Sequence, residues 1–473
     1  MGSGANVKIQ NLRIPATFDD EFLKILNSQL KVSRISTLPD YRSSPVTLPT
    51  NTPCRTHGRT LLFANISGTP RQTCRETSSP NRDVKLQLSN IFFRLTKLLK
   101  SHQTSVSAIT HCTLLLRDMK DFALINELYA KFFDFTNPPS RVTVAVGDTM
   151  AESLDIMLTA IAHPQPPSGR RNGLHVQSQS YWAPANIGPY SQAISVPLGD
   201  GYEIHIAGQI PLDPPSMTLY SKDGFKGEAL LALQHLTRIG RTQNVKWWVA
   251  GVAMISATTE SRGFQEDRVK VAQAVWDAVN APPPADGEEG EEDQEDEEVV
   301  DAWDRKNFSK AFDDTVARSR IPDYRVFGDP DLQESTDSSR PRAPPCIVVE
   351  VDALPRYASI EWACTGLDVD RLRQTHAGVA DDLGDAEHHR SRAFEVRDTD
   401  DRFAYSIFEI PEDERVDPAK MPFEVEYGTL YASSRFDWKD SSWAQSGISW
   451  IPCKRVWGQG GRELRGALVA KRG

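Results

Sequence analysis

The stretch ANIGPYSQAI at residues 185–194, which leads on to AGQIPLDP at residues 207–214, decides the fold of this chain. Apolar and β-branched residues in and between these runs predict strands at about 191–197 and 203–209. The second strand ends at Gly208 and a proline-containing turn. This segment is therefore expected to form the strand pair that opens a folded module.

Two helices with a strand between them are predicted after this strand pair. Apolar residues recur at three- and four-residue spacing over about 226–240 and 264–280, which is typical of amphipathic helices. The run WWVAGVAMIS at 247–256 predicts the strand that separates them. Strands at 346–355 and 358–366 complete the order strands, helix, strand, helix, strands.

An earlier segment of the chain repeats this order. Its strands and helices are predicted, in chain order, at 60–68, 84–102, 106–116, 121–133, 141–146 and 154–162, and the last two strands are expected to pair with each other. The repeat predicts an α+β fold with two tandem βαβ modules, at 58–165 and 180–366. Each module is expected to be a mixed sheet with two helices packed on one face.

The ends of the chain are interpreted separately. Residues 1–57 read as a cloning remnant, MetGlySerGly, followed by a polar lead-in with one short helix at Asp19–Leu30. Residues 367–473 are predicted to be a β-rich C-terminal extension. The hairpin-like stretch at 449–469 competes with 346–366 as the pair that closes the second module, and the sequence leaves both open.

The formal net charge of −10 comes largely from one segment. Ten of the thirteen residues from 286 to 298 are acidic, and no basic patch suggests a nucleic-acid partner. This run belongs to a polar insertion at 282–342, which is interpreted as disordered because it buries too little apolar area to offset its ordering entropy. A short helix is expected within it at 300–312.

Cysteine usage and hydropathy favour a cytoplasmic protein. The six cysteines are widely spaced with no CxxC pair, which argues against a zinc site or a disulfide framework. No run of 18 apolar residues occurs, so neither a membrane span nor a membrane partner is expected. His57, His111 and His205 lack the spacing of metal ligands, and no metal is expected.

The motif at 185–214 resembles the opening strands of the RidA (YjgF/UK114) family, whose members are small trimers that hydrolyse reactive imines. The resemblance implies a site between subunits. An arginine there grips the substrate carboxylate with its planar fork of donors, and a glutamate on the last strand activates water. A tyrosine of the opening motif and backbone groups near a glycine of the early strand complete the pocket.

The first module matches part of this set. The motif PPSRVTV at 138–144 resembles the family's closing motif and makes Arg141 the candidate carboxylate ligand, with Asn126 and Gly68 as further ligand-binding candidates. Thr159 stands where the family has its glutamate, and a threonine hydroxyl is not a base near neutral pH. A structural ion pair at an interface is the alternative role for Arg141.

The second module matches the complementary part. Tyr190 and Gly208 are present as ligand-binding candidates, although both residue types also shape turns of the fold. Cys346 occupies the arginine position and Ala363 the glutamate position, so the catalytic residue is left unknown. Glu361 lies on the same strand face as Ala363, but an exposed structural glutamate is the simpler interpretation. Cys346 lacks a His/Asp partner pattern and is expected to be a buried small side chain.

The tandem arrangement, with its long insertion, resembles the C-terminal half of fungal diphthine–ammonia ligases. That resemblance implies an N-terminal ATP-pyrophosphatase domain in the same protein, ATP and ammonium as its reactants, and elongation factor 2 as a partner. The ATP-binding signature SerGlyGlyLysAspSer occurs nowhere in the 473 residues, so no cofactor is expected in this region.

Two functions of different classes follow from these resemblances. The first is an accessory region that assembles, docks the ligase domain or elongation factor 2, and binds a small ligand without hydrolysing it. The second is an imine or enamine deaminase that acts independently or supplies ammonia. Two modules fill two of three positions in a trimer, so either the C-terminal residues cover the remaining apolar face or chains self-associate.

Overall fold

The computed structural model describes residues 17–35, 54–57, 60–68, 80–164, 171–282, 320–328, 341–378, 392–412, 425–436 and 448–472. The acidic run and the helix expected at 300–312 lie outside these residues. Among the described helices, none combines the length and the hydropathy needed to cross a lipid bilayer.

The first unit, residues 54–164, is preceded by helix α1 (Asp20–Asn27). Its elements are β1 (Cys54–His57), β2 (Thr60–Ser67), α2 (Pro80–Ser101), β3 (Ile109–Leu116), α3 (Phe122–Phe132), β4 (Ser140–Ala145) and β5 (Ile156–Ala162). They form one sheet in the order β1-β2-β5-β3-β4, and α2 and α3 share one hydrophobic core with it.

The last two strands of the first unit do not pair with each other, contrary to the predicted strand pair. A helical crossover through α3 makes β4 parallel to β3, as such connections require. Strand β5 then pairs antiparallel with the other edge of β3 and closes the gap to β2. The strands are predicted correctly, but their neighbours depend on the crossover.

The second unit, residues 171–368, begins with β6 (Asn172–Leu174), β7 (Ala193–Leu198), β8 (Gly201–Ile206), β9 (Leu212–Asp213), β10 (Thr218–Leu219) and α4 (Gly224–Thr242). It continues with β11 (Trp247–Trp248), β12 (Gly251–Ser256), α5 (Arg262–Asn280), β13 (Cys346–Val351), β14 (Ile360–Ala363) and β15 (Thr365–Asp368). The predicted strand at 247–256 is divided into β11 and β12, which belong to different sheets.

The strand order of the second unit parallels that of the first. Strands β7, β8 and β15 are neighbours in one sheet, and β14, β12 and β13 are neighbours in another. Because β14 and β15 are separated only by Cys364, the order β7-β8-β15/β14-β12-β13 corresponds to β1-β2-β5-β3-β4. The crossover through α5 likewise makes β13 parallel to β12.

Helix α1 packs on the second unit, so this part of the lead-in is ordered. Phe22 is fully buried in the core that α4 and α5 share. The carboxylate of Asp19 accepts a hydrogen bond from Arg238 Nε on α4, at 3.0 Å. The expected helix at Asp19–Leu30 is therefore present as the shorter α1, docked by both apolar and charged contacts.

The C-terminal unit, residues 372–472, resolves which strands close the second unit. Its strands are β16 (Leu372–Gly378), β17 (Arg392–Asp398), β18 (Ala404–Ile410), β19 (Val425–Ala432), β20 (Ser449–Pro452), β21 (Arg455–Trp457), β22 (Glu463–Leu464) and β23 (Gly466–Arg472). Strands β13 and β14 flank β12, whereas β21 and β22 extend the same sheet beyond β13. The stretch at 449–469 is therefore not a single hairpin.

The remaining C-terminal strands form a six-stranded sheet in the order β16-β17-β18-β23-β19-β20. This sheet shares one hydrophobic core with the sheets of the first and second units. Each unit contributes buried aliphatic side chains, for example Val142 and Met157, Val252 and Met254, and Ile407 and Leu468. The C-terminal residues thus cover apolar sheet surface that the first two units leave between them.

One asparagine joins the first unit to the C-terminal sheet. Asn65 Nδ2 donates to the Trp450 carbonyl at 2.8 Å, and the Trp450 amide donates to Asn65 Oδ1 at 2.9 Å. Asn65 also has a φ of 47°, in the left-handed region that asparagine and glycine tolerate.

We expect Asn65→Gly to lower the free energy of unfolding by about 1–3 kcal/mol, because two buried backbone groups lose their partners. Asn65→Ala should cost about 1 kcal/mol more, since alanine is strained at this φ. Urea denaturation measures both, with Asn90→Ala as the control, because Asn90 is only half-buried and its amide bonds within α2. An Asn65→Gly variant within 0.5 kcal/mol of the parent contradicts the assignment.

Candidate functional site

A pocket lies where the first and second units meet. Strand β4 supplies Arg141 and Thr143, and strand β14 supplies Glu361. The loops around β7 and β8 contribute Tyr190 and Gly208. The space between these groups is about 20 Å³, enough for one water molecule, so a larger ligand has to displace lining side chains.

Arg141 is buried at this interface, with 3% of its surface exposed. Its guanidinium carbon lies 4.7 Å from the ring centre of Tyr129, 4.8 Å from Tyr190 and 5.5 Å from Phe122. Its Nη1 has no hydrogen-bond partner among the described residues. Burial lowers its pKa, although an arginine remains charged at neutral pH. The aromatic rings hold the cation and leave a donor available to a ligand.

Glu361 is buried, contrary to the surface position that the sequence predicted. It was expected on the surface, but only 2% of it is exposed, because β14 lies inside the packed sheets. Burial raises the pKa of its carboxyl group to about 8, and the charge of Arg141 opposes this shift. Its Oε2 has no partner among the described residues. At neutral pH the group is largely a protonated acid.

Two glycines are required by the close approach of these side chains. A Cβ on Gly208 would lie 1.6 Å from Glu361 Oε1. A Cβ on Gly188 would lie 2.6 Å from Arg141 Nη2 and 3.1 Å from Asn126 Oδ1. The Gly208 amide also donates to the Arg141 carbonyl at 3.2 Å, which fixes the two units against each other. Any side chain at either position would therefore displace a group that lines the site.

Buried polar atoms without partners converge at this point. Asn126 Oδ1, Thr143 Oγ1, Arg141 Nη1 and Glu361 Oε2 are all buried and unpaired among the described residues. Folded proteins rarely leave such atoms unsatisfied, because each costs about 1–3 kcal/mol. Three polar groups of the first unit thus accompany one carboxyl of the second, as expected of a site that binds a small polar ligand.

The other candidate positions lie elsewhere. Gly68 packs under α2, where a Cβ would meet the Gln87 backbone at 2.5 Å, and it is not part of this pocket. Thr159 and Ala363 line a separate cavity between the three units, and Thr159 Oγ1 accepts a hydrogen bond from the Asn65 amide. Cys346 is buried in the second unit, and burial raises the pKa of its thiol.

Strand register shows which positions of the two units correspond to each other. Arg141 stands beside Cys112 on β3, as Cys346 stands beside Gly251 on β12. Counting along the strands from these pairs, Thr159 corresponds to Ala363, and Glu361 corresponds to Met157. The first unit therefore supplies the arginine and the second supplies the glutamate. The buried charge in the apolar run IEWA was the available sequence signal.

Parts of the chain are similar to known proteins. Residues 58–163 match the sequence profile of the family described as endoribonuclease L-PSP. The chain is 40% identical over 161 residues to the diphthine–ammonia ligase of Schizosaccharomyces pombe, and 34% identical over 174 residues to that of Saccharomyces cerevisiae. These matches cover 34% and 35% of this chain and 25% of each ligase, so the chain spans about a quarter of those proteins.

A solved structure of RidA from Psychrobacter sp. PAMC 21119 is also similar. It is 17% identical, with a TM-score of 0.21, and the match covers 26% of this chain and 94% of that one.

Proposed function

Because residues 58–163 belong to the endoribonuclease L-PSP (RidA) family, we propose that the pocket between the first and second units binds a small imine that carries a carboxylate and hydrolyses it. The observation that supports this most is the joining of Arg141 from one unit with Glu361 from the other, both with buried atoms that lack partners. Neither unit holds this set alone.

The second unit is proposed to be a second RidA-like module. Its support is the strand order, which corresponds to that of the first unit, and its parallel pair joined through a helix. Two modules in one chain then create one asymmetric interface with a full complement of side chains, in place of the equivalent interfaces of a trimer.

The proposed reaction balances with water alone. Arg141 binds the carboxylate through its free donor, and Asn126 and Thr143 orient the ligand. The Glu361 acid gives its proton to the imine nitrogen, and the resulting carboxylate takes a proton from the water that attacks the imine carbon. Glu361 then protonates the amine nitrogen of the carbinolamine, and its carboxylate takes the hydroxyl proton as the C–N bond breaks, which releases ammonia and a carbonyl product. A pKa of about 8 suits a group that must act as both acid and base.

For the whole protein we propose that this region belongs to a diphthine–ammonia ligase. The fungal relatives at 34–40% identity support this proposal. ATP and ammonium would be used by an N-terminal domain, with elongation factor 2 as the acceptor. The region would serve as an accessory to that domain. Its large shared core across three units, which suits a rigid docking partner, also supports a purely structural accessory role as the second candidate.

Arginine-dependent turnover separates these two functions. A 2-imino acid generated in place by an amino acid oxidase is the substrate, and ammonia-linked loss of the imine is followed. We expect Arg141→Ala to lower kcat/KM by about 30- to 1,000-fold, because a buried charged hydrogen bond to the carboxylate is lost. The exposed Arg373→Ala, on β16, is the control and should retain activity. Equal turnover in both variants, or none in the parent, overturns the hydrolytic function and leaves the structural one.

A further inference from the structure

A second polar cluster lies in the interior, away from the Arg141 pocket. His163 follows β5 of the first unit, Glu203 and His205 lie on β8 of the second, and Lys471 and Tyr427 reach it from the C-terminal sheet. We propose that His163, His205 and Glu203 form a binding site for a divalent transition-metal ion of the zinc class, which ties the first unit to the second.

The geometry brings the three possible ligand atoms together. One ligand atom from each residue lies within 4.8 Å of the other two, and His205 Nε2 is 3.9 Å from Glu203 Oε1. Zinc binds imidazole nitrogen and carboxylate oxygen at about 2.0–2.2 Å, so one ion placed between these atoms needs only small side-chain shifts. Two imidazoles and one carboxylate are a common ligand set for such ions.

The ring nitrogens that face the cluster have no other role in the fold. His163 Nε2 and His205 Nε2 are both buried, and neither has a hydrogen-bond partner among the described residues. Only 3% of His205 is exposed. Two unpaired nitrogens side by side in the interior are costly unless something binds them.

The tautomer of His163 is fixed in the form that a metal requires. Thr110 Oγ1 donates its hydrogen to the Ile161 carbonyl, at 3.2 Å. At 3.0 Å from His163 Nδ1, the same oxygen therefore accepts, so Nδ1 carries the hydrogen and Nε2 carries a lone pair. The far nitrogen of a ligating histidine usually donates to a carboxylate, a backbone carbonyl or water, and Thr110 Oγ1 takes that place here.

Glu203 already has two partners, and both leave room for an ion. Lys471 Nζ contacts its Oε2 at 3.0 Å, whereas the Tyr427 hydroxyl donates to Oε1. A carboxylate oxygen has a second lone pair, so Oε1 can still bind a metal. The charges of Lys471 and Arg171 oppose a dication, and those of Glu203 and Glu426 favour it. The binding energy then comes chiefly from the imidazole nitrogens.

A fourth position is available on the side of the cavity between the three units. This cavity has a volume of about 100 Å³ and is lined by His111 as well as His205. The ring centres of these two histidines are 5.7 Å apart. Ser140 Oγ donates to the Thr110 carbonyl and so accepts from His111 Nδ1, which leaves His111 Nε2 with a lone pair. Either this nitrogen or water can complete a tetrahedron.

The site departs from the absence of metal expected from the sequence. The ligands do not form a closely spaced motif, because one of them lies about forty residues from the other two and in another unit. The two-residue spacing of Glu203 and His205, which places both side chains on one face of β8, was the visible part of the pattern.

Metal titration tests the proposal on the intact chain after treatment with a chelator. Co²⁺ should produce the visible absorption of a tetrahedral site, and Zn²⁺ should abolish it by competition. Zn²⁺ affinity, measured by calorimetry, should fall at least about 100-fold in His163→Gln and His205→Gln, and about 10- to 100-fold in Thr110→Val. His175→Gln, at an exposed histidine, is the control and should match the parent.

The outcomes are decisive in each direction. Absence of Co²⁺ absorption and of Zn²⁺ heat in the parent chain overturns the proposal, as does an unchanged affinity in both histidine variants. Should either histidine variant fail to fold by circular dichroism, Thr110→Val carries the test, since it keeps the volume at that position. None of these readouts depends on imine hydrolysis.

Discussion

Glu361→Gln is expected to lower kcat for imine hydrolysis by about 10²- to 10⁴-fold, with a KM close to that of the parent chain. Glutamine keeps the shape of the side chain and its place against Gly208, but it neither releases nor takes up a proton. Arg141 still binds the carboxylate, so ground-state affinity is retained. Steady-state kinetics with the imino acid measure both constants.

The pH profile is the more specific readout. The pKa of Glu361 is about 8, so its protonated fraction falls as the pH rises through 8. Because the acid form is the one proposed to protonate the imine, we expect the rate of the parent chain to decline above this pH. The residual rate of Glu361→Gln should show no such decline. Ala363→Ser, on the same strand but outside the pocket, should keep the parent profile. A parent rate that still rises between pH 8 and 9 contradicts the acid role.

The Glu361 carboxyl also makes the free energy of unfolding depend on pH. The direction of this dependence distinguishes its titration from a folding defect. Between its ordinary value of 4.5 and about 8, the native state holds a proton that the unfolded state has released. The free energy of unfolding of the parent should therefore decrease as the pH rises through this window, by up to about 1.4 kcal/mol per unit. Glu361→Gln should lack this dependence and be the more stable chain at pH 8.

Lys471→Met is expected to destabilise the chain by about 3–5 kcal/mol, the largest stability effect that we predict. Glu203 is fully buried and Lys471 is 5% exposed, with 3.0 Å between Nζ and Oε2. Burial alone would lower the pKa of Lys471, but Glu203 and Glu426 more than offset this and raise it. Loss of the ammonium leaves buried carboxylates without a counter-charge. Urea denaturation at pH 7 measures the loss.

Two comparison variants make this prediction specific. Lys454→Met removes a pair of similar length, 2.8 Å to Asp352, but both side chains are about 40% exposed, so a loss below about 1 kcal/mol is expected. The double variant Lys471→Met/Glu203→Gln should recover part of the stability, because the buried charge is removed with its partner. Equal losses of unfolding free energy in Lys471→Met and Lys454→Met would show that the buried Lys471–Glu203 pair contributes no more to stability than an exposed pair.

Local sequence pattern was sufficient for most helices and strands of the first two units. Apolar spacing placed α4 and α5 within a few residues, and runs of apolar and β-branched residues placed β2, β7 and β13. Side-chain periodicity reports on one segment at a time, which is why these elements could be predicted. Periodicity does not tell which strands are neighbours in a sheet. The two strands expected to pair at the end of the first unit therefore could not be placed correctly, and they lie on opposite sides of β3.

By itself, the sequence determined the family of the first domain, the order of its elements, and the identity of Arg141 as the ligand candidate. Only the tertiary structure decided that Glu361 faces the same pocket, since a two-residue shift along β14 separates that pocket from the central cavity. The physical reason is that the site is divided between units. Arg141 and Glu361 lie more than two hundred positions apart, and only the packing of one unit on the other brings them together.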